Sequence, residues 1–454
     1  MSKTKPTRRG LTRRGVLGLA AGLAATLPMG RARAQAEVNP ATLRRAGRNL
    51  LNFRAWERYP ASDVPQLARF LDRNTDLSIQ WVSTPFARYR DVMIAEFIAR
   101  TAVDVVQVPE TELAAWADSG WLAPLDGLPG LDTVLGAATP TAVSGTKGLN
   151  GKTYALPFLS DAFGFAYDHE VLTKAGFAKT ARNLDELRVQ MQAVKRAGLD
   201  EFPLSLAMRR QPGQFWSLWA TVYASGAELF DDAGAPLFDR AGHPLAAILE
   251  WYVAAINDWR ITSPDDLQRD WGAARTAIRS GTVKFGYVAQ YSLAEFNIWP
   301  DSKAAGKIKL GLVPGLERND IGTVGYAHSV GMATSSQNRD AAWRALRAYA
   351  GPDETGAFAM PRARLLSEGG RSPFPNLISD PEVGAFVNRM NLGDTDDFNR
   401  LSTIGRQRKG IKTTWYPEWE QTMMGTFQEA LLKRVTVGAA ITSVANEARR
   451  LAKG

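Results

Sequence analysis

Cysteine is absent from this 454-residue chain, and histidine occurs only three times. Without cysteine the protein has no disulfide, no catalytic thiol and no thiolate ligand for a metal ion. It also offers no cysteine to carry a lipid at a processed N-terminus. His169, His243 and His328 lie far apart and outside any His-x-x-x-His or Glu-x-x-His spacing. We therefore predict neither a metal site nor a cofactor.

Common catalytic motifs are missing as well. The sequence has no Gly-x-Ser-x-Gly elbow, no Gly-x-x-x-x-Gly-Lys-Ser/Thr loop, no His-Glu-x-x-His and no dinucleotide-binding Gly-x-Gly-x-x-Gly. Carboxylate pairs for glycoside hydrolysis stay open, because 46 Asp and Glu offer many pairs and only their separation in space would identify one. The motifs therefore predict a protein that is not an enzyme, and no catalytic residue is assigned.

Positive charge is concentrated at the N-terminus. Six Lys and Arg lie between Lys3 and Arg14, and the uncharged run 15–30 follows. This is the layout of an export signal. A small-x-small pattern at 32–34 predicts cleavage near Ala34, so residues 1–34 are the predicted signal peptide. The pair Arg13-Arg14 resembles a twin-arginine signal, which predicts export of the folded protein to the periplasm.

The remainder of the chain is almost neutral. Without residues 1–34 it has 47 basic and 46 acidic residues, scattered along its length. This balance predicts neither a nucleic acid nor an anionic membrane as partner. About 420 residues are too many for one hydrophobic core, so two or more lobes are expected in a soluble monomer.

Strand-like and helix-like segments alternate at the start of the processed chain. The predicted order is strand Leu50–Trp56, helix Asp63–Arg73, strand Leu77–Val82, helix Arg88–Arg100 and strand Val103–Val108. A βαβαβ unit of this kind forms a parallel sheet, and ligands of open α/β sheets bind beyond the carboxyl ends of the strands.

Further along, a second α/β block begins near Tyr154. Short strands are predicted at Ile308–Val313 and Val330–Ala333, and a helix is predicted to start at Asp340. The segment Gly369–Gly393 has three prolines and many small polar residues, so we predict a loop there.

Several motifs together resemble family 1 of the extracellular solute-binding proteins of ABC importers. They are the strand Asp104–Pro109, the turn Gly120–Asp126, the segment Asn150–Pro157, and Gly325–His328 followed by Ser336–Trp343. The match is weaker at 280–291, where Lys284 interrupts the apolar run. The resemblance covers nearly the whole processed chain.

This resemblance implies an α/β fold of two lobes, the type II periplasmic binding protein, which closes by hinge bending around a ligand in the cleft. The first lobe is predicted at 37–156 and 312–360, and the second at 157–311 and 361–454. It also implies permease subunits of an ABC importer as partners. The segment Gly325–His328 is expected to form a glycine loop that faces the ligand.

Aromatic rings and carboxylates near the predicted cleft edge are the candidates for binding a sugar. Rings stack on the C–H face of a sugar, and carboxylates accept strong hydrogen bonds from its hydroxyl groups. The aromatic candidates are Trp56, Trp216, Tyr291, Tyr326 and Trp419. The other candidates are Glu57, Glu110, Asp161, Gly325, His328 and Arg364. The alternative for any one of the aromatic residues is a place in the core, and for Glu110 it is a favourable charge at a helix N-terminus.

Three functions stay open at this point. The first is capture of a sugar or oligosaccharide for an ABC importer. The second is capture of a phosphorylated polyol or an organic anion, motivated by Arg364 and Arg371. The third is a periplasmic enzyme exported in folded form, motivated by the twin-arginine pattern.

Overall fold

The computed structural model describes residues 49–56, 60–211 and 214–453. The proposed signal peptide and Glu57 lie outside the described residues. Within them, the predicted βαβαβ start of the chain is confirmed, with element bounds within a few residues of those expected.

The nine strands of the described residues belong to one curled mixed sheet. In the described residues the strands are β1 (Asn49–Trp56), β2 (Leu77–Thr84), β3 (Val105–Val108), β4 (Ala155–Asp168), β5 (Leu204–Ser205), β6 (Phe285–Ala289), β7 (Ile308–Gly311), β8 (Thr323–Met332) and β9 (Gly405–Arg406). Their order is β2-β1-β3-β8-β4-β6-β5, with β7 beside β4 and β9 beside β8.

Strands β4 and β8 are shared by the two ends of this sheet. They run antiparallel, with Ala155 opposite Gly331 and Ala162 opposite Gly325. β8 then pairs with β3, and the far end of β4 pairs with β6 and β7. We call the part built on β1 to β3 the first lobe and the part built on β5 to β7 the second lobe. The exact residue boundaries given above stay a prediction.

Helices cover both lobes. They are α1 (Pro60–Arg73), α2 (Phe86–Ile98), α3 (Leu113–Asp118), α4 (Leu131–Ala137), α5 (Pro140–Ser144), α6 (His169–Lys174), α7 (Leu184–Arg196), α8 (Trp216–Ala224), α9 (Leu245–Asn257), α10 (Trp271–Arg279), α11 (Ser292–Asn297), α12 (Arg339–Ala350), α13 (Ala359–Glu368), α14 (Pro381–Met390), α15 (Asp396–Ile404), α16 (Tyr416–Leu431) and α17 (Val437–Leu451). Single 3-10 turns occupy Pro264–Leu267, Pro375–Ser379 and Lys409–Lys412. No helix in the described part of the chain is long and apolar enough to cross a membrane.

The loop predicted at Gly369–Gly393 is wrong, because most of it is helical. Asp380 accepts hydrogen bonds from the backbone N–H groups at 382 and 383, and Pro381 occupies the first turn of α14. Proline is favoured there, since the first helical N–H has no partner to lose. Val383, Phe386 and Met390 form the buried face of the helix. The prolines therefore mark helix starts.

The glycine loop expected at Gly325–His328 is also wrong, since these residues lie within β8. A Cβ atom at Gly325 would come within 3.1 Å of the backbone carbon of Gly405. Glycine is needed at 325 because the neighbouring strand β9 approaches closely. The spacing of the motif did not reveal that contact.

Helices α1, α12 and α13 pack on one another in the first lobe, and α8, α9, α16 and α17 pack together in the second. Along α12, Trp343, Leu346 and Ala350 are buried, as the helical spacing predicts. The two lobes therefore have separate helical layers on a shared sheet.

Candidate functional site

Eight ring side chains form a continuous group where the two lobes meet. We call this group the aromatic cluster. Its members are Trp56, Phe86, Phe158, Phe163, Trp216, Trp271, Tyr326 and His328. Trp56, at the carboxyl end of β1, meets the His328 ring edge-on at 5.0 Å and the Phe158 ring at 5.9 Å. The first lobe thus contributes its strand-end tryptophan to the cluster.

β8 carries the cluster from one lobe to the other. The Tyr326 ring lies 5.0 Å from that of His328 and 5.3 Å from that of Trp216. Trp216 in turn stacks on Phe163 of β4 at 4.7 Å, with 14° between the ring planes. These centroid distances lie in the range of favourable aromatic pairs. The rings therefore connect the lobes without a break.

Two helix starts bring tryptophans of the second lobe to this place. Phe215 has a φ of +62°, and this left-handed residue turns the chain into α8 directly before Trp216. Asp270 caps α10 by accepting a hydrogen bond from the Ala273 N–H at 2.8 Å. Trp271 is the first residue of that helix, and its ring lies 4.8 Å from that of Phe163.

Some of the rings are open to solvent. Trp216, Trp271 and His328 are half-buried, and Phe86 is 39% exposed. Trp56, Phe158, Phe163 and Tyr326 are buried behind them. A molecule bound at this position would cover the accessible part of these rings, which buried rings hold from behind.

Polar groups hold one edge of the cluster. The Tyr291 hydroxyl accepts hydrogen bonds from Trp271 Nε1 at 3.2 Å and from Arg275 Nη1 at 3.0 Å. Arg275 also forms an ion pair with Glu295. Asp161 Oδ2 accepts from the Tyr291 backbone N–H at 3.2 Å. Tyr291 itself is buried, so it positions Trp271 and does not offer a free ring face.

Glu110 lies behind the cluster in an ion pair. Its Oε1 accepts a hydrogen bond from Arg408 Nη2 at 2.7 Å, and its Oε2 accepts from the Ala327 backbone N–H at 3.4 Å. Ala327 is the residue between Tyr326 and His328 of the cluster. Glu110 is thus next to the predicted site but is occupied by a protein cation.

Two candidates lie in the interior of the fold, Arg364 behind the cluster at 5.0 Å from the Phe158 ring centre and Trp419 within the second lobe. Arg364 is buried within α13, where Nε donates to Asp63 Oδ1 at 2.6 Å and the guanidinium lies 4.0 Å from the Tyr349 ring centre. Its side chain is 1% exposed and paired with Asp63, whereas the organic-anion hypothesis needs a guanidinium that a ligand can reach. Trp419 packs inside the second lobe, and its Nε1 donates to the Val444 carbonyl at 3.0 Å. Both side chains have structural partners, and we leave them out of the site.

Sequence reasoning missed Phe86, Phe158, Phe163, Trp271 and Arg408. The Asp270-Trp271 pair carries a signal that could have been used, since aspartate before an apolar residue is a helix start. No pattern places α10 beside β4, however. Arg408 belongs to no motif, and its partner Glu110 in the first lobe is 298 residues away in sequence.

Glu112 makes the stability of the folded protein depend on pH. Burial raises its pKa to about 7 from 4.5, even though Arg90 donates to it at 3.0 Å, and nearby Glu420 contributes in the same direction. The folded protein therefore holds a proton that the unfolded chain releases between about pH 4.5 and 7, so its stability falls as pH rises through this window. Glu112→Gln should remove this contribution. Urea unfolding measured from pH 4 to 8 should show that the free energy of unfolding of the variant increases relative to that of the wild type as pH rises. The same pH dependence in both proteins would contradict this role of Glu112.

Curated relatives of the chain are binding proteins of low identity. It is 25% identical to the mannitol-binding protein of Pseudomonas aeruginosa over 169 residues, which cover 36% of this chain and 38% of that protein. It is 25% identical to a putative binding protein of Brucella abortus over 320 residues, which cover 70% of this chain and 75% of the relative.

Solved structures share the fold across nearly the whole chain. Maltose-bound T. maritima MalE3 matches with a TM-score of 0.77 at 18% identity, covering 88% of this chain and 99% of that one. An ABC transporter solute-binding protein of Agrobacterium vitis with bound D-mannitol matches with a TM-score of 0.71, also at 18% identity, covering 88% and 98%. The fold is thus the two-lobed α/β fold of maltose-binding-protein-like proteins. The sequence profile of the bacterial extracellular solute-binding proteins matches residues 56–356, and the chain belongs to that family.

Proposed function

We propose that this protein captures a small polyhydroxylated solute, a sugar or a polyol, between its two lobes and delivers it to an ABC importer. The observation that carries the proposal is the aromatic cluster, whose partly exposed rings Trp216, Trp271 and His328 lie where the lobes meet. The proposed site consists of these rings and Phe86 at its edge, with the buried polar groups of Asp161 and Tyr291 next to them.

The chemistry of the cluster suits such a solute. The C–H faces of the solute would cover the exposed ring surfaces and remove them from water. This stabilises the complex by roughly 25 cal/mol for each Å² of apolar surface covered. The hydroxyl groups of the solute would need hydrogen-bond partners, and a carboxylate such as that of Asp161 gives a stronger hydrogen bond than a neutral acceptor. A site of a few fixed polar groups among aromatic rings is typical of small-molecule recognition.

The relatives support the same ligand class. Maltose, D-mannitol and ribitol appear as ligands of proteins with this fold, and mannitol gives the Pseudomonas aeruginosa relative its name. They range from linear polyols to a disaccharide. We therefore propose the class and treat the individual ligand as the object of the experiment.

Location and partners complete the proposal. A binding protein of an importer works outside the inner membrane, and the basic, then apolar, N-terminal residues have the layout of an export signal. We propose cleavage near Ala34, export through the twin-arginine route to the periplasm, and docking of the loaded protein on the permease subunits.

A thermal-shift screen of the purified protein tests the ligand class. The panel contains D-mannitol, ribitol, maltose, other mono- and oligosaccharides, sugar phosphates, amino acids and organic acids. A ligand that binds only the folded state stabilises it by about 2.7 kcal/mol at a hundredfold excess over Kd. We expect a selective rise in melting temperature with a sugar or polyol. A selective rise with an anionic compound instead would favour the organic-anion hypothesis, and no shift with any member would contradict the proposed ligand class.

A further inference from the structure

Arg408 is a buried cation that touches both lobes. It follows β9, and its Nη2 donates to Glu110 Oε1 of the first lobe at 2.7 Å. Its Nη1 donates at 3.0 Å to Glu420 Oε1 and to the Tyr416 hydroxyl, both on α16 of the second lobe. The side chains of Arg408, Glu110 and Glu420 are at most 3% exposed. One guanidinium thus joins a strand end of the first lobe to a helix of the second.

The same guanidinium lies against the ring that we place in the ligand site. Its Cζ atom is 4.5 Å from the centre of the Trp216 ring and 5.3 Å from that of Trp219. Cation–π contacts of this length are attractive, and more so when they are desolvated. On the other side of the ion pair, Glu110 accepts from the Ala327 N–H, between the cluster rings Tyr326 and His328. Arg408 and Glu110 therefore lie behind the rings of both lobes.

We propose that Arg408 is a positioning residue that couples the orientation of the two lobes to the placement of Trp216, and so sets the ligand affinity. The inference rests on the proposed function, because it concerns the same site. Arg408 acts through Trp216 and Glu110 and does not itself contact the solute.

The proposed coupling has an energetic reason. When the lobes separate, the charges of Arg408, Glu110 and Glu420 lose partners that they cannot replace equally well. Burial alone would lower the pKa of Arg408, but Tyr416, Glu110 and Glu420 reverse this effect and hold the guanidinium in its charged form. A desolvated charge without its partner is strongly unfavourable. Moving Glu110 away from Arg408 therefore requires that water enter behind Trp216. The position of the ring and the angle between the lobes change together.

The test variant removes the bridge without leaving a lone buried charge. Glu110→Gln, Arg408→Met and Glu420→Gln are combined, because replacing a whole buried ion group by neutral residues is tolerated far better than deleting one member. Arg408→Lys keeps the charge but loses the planar fork that reaches two acids at once. The matched control is Asp239→Asn with Arg449→Met, which removes an ion pair of 2.7 Å that is more exposed and lies within the second lobe.

Distances between the lobes provide a readout that needs no ligand. The chain has no cysteine, so Ser119→Cys after α3 and Ser443→Cys on α17, both exposed, give two specific spin-label sites. Double electron–electron resonance should show a narrow distance distribution in the otherwise wild-type protein and in the control. The neutral triple variant should show a broad or shifted distribution, and the lysine variant an intermediate one.

Affinity is then measured with whichever of D-mannitol, ribitol or maltose binds the wild type. A coupling of the usual size predicts binding about 5- to 150-fold weaker in the triple variant and unchanged binding in the control. An unchanged distance distribution in the ligand-free triple variant would overturn the proposal, as would affinity within twofold of wild type. Failure of the wild type to bind any of the panel would instead count against the proposed function, and the ligand-free distances would still decide the role of Arg408.

Discussion

Arg364→Ala should lower the free energy of unfolding by about 3 to 5 kcal/mol, the usual cost of removing one member of a buried ion pair. Arg364 and Asp63 are at most 1% exposed and lie 2.6 Å apart. Asp63 also accepts a hydrogen bond from the Tyr349 hydroxyl at 2.6 Å, so loss of the arginine leaves a buried carboxylate with insufficient compensation. Urea unfolding followed by circular dichroism measures the effect.

Arg362 of the same helix provides the control. Its side chain is 36% exposed and pairs with Asp380 and Glu382 at the surface. Arg362→Ala should therefore cost at most about 1 kcal/mol. The neutral double variant Asp63→Asn with Arg364→Met should recover most of the stability lost in Arg364→Ala. Equal costs for the two arginine substitutions would show that the buried pair has no special role.

This ion pair also supports the cluster from behind. Tyr349 accepts a hydrogen bond from Gln107 Nε2 at 2.5 Å, and Gln107 Oε1 accepts from the Trp56 backbone N–H at 3.0 Å. A polar chain thus runs from α13 to the end of β1. Arg364 is connected to Trp56 through this chain of hydrogen bonds, which differs from the anion contact that the sequence suggested.

Trp216→Ala should weaken binding of the ligand found in the thermal-shift screen by about tenfold or more, which corresponds to ~1.4 kcal/mol. The ring is half-buried, is held by Phe163 on the sheet and by Arg408, and belongs to the face that we propose the solute covers. Its removal deletes apolar contact area and takes from the guanidinium the nearest of its aromatic partners. Isothermal titration calorimetry measures the loss.

Trp299→Ala is the matched control for this experiment. Trp299 is also half-buried and also has an arginine over its ring, Arg279 at 5.4 Å, but it has no ring contact with the cluster. It should leave the affinity unchanged. Similar losses in both variants would mean that tryptophan removal disturbs the fold in general, and an unchanged affinity in Trp216→Ala would remove this ring from the site.

The early part of the fold could be predicted because its signals are local. Alternating apolar residues and helical spacing give β1, α1, β2, α2 and β3 with small errors. The prediction fails where one residue type is common in two different structural contexts. Prolines at 375 and 381 indicate a loop by composition, whereas in the structure they occupy the first turns of helical segments. The motif around Gly325 predicts a loop that faces the ligand, whereas glycine is required there by the close approach of a neighbouring strand.

The candidate site could be predicted only in part, for a related reason. Trp56 and Glu110 follow strands whose carboxyl ends meet at one edge, and that rule is general. Trp271 and Arg408 come to the same place through tertiary packing between segments that are distant in sequence. Arg364 and Trp419 carry residue types that suit a sugar site, but burial commits both to the interior. Residue type and spacing contain no information on burial of this kind.

The most direct test of the proposed site is a crystal structure of the protein with the compound that gives the largest thermal shift. We expect one solute between the lobes, with a ring or carbon face in contact with Trp216, Trp271 or His328 and at least one hydroxyl within hydrogen-bond distance of Asp161 or another polar group of the cluster edge. A solute bound on the outside of either lobe, with these rings uncovered, would contradict it.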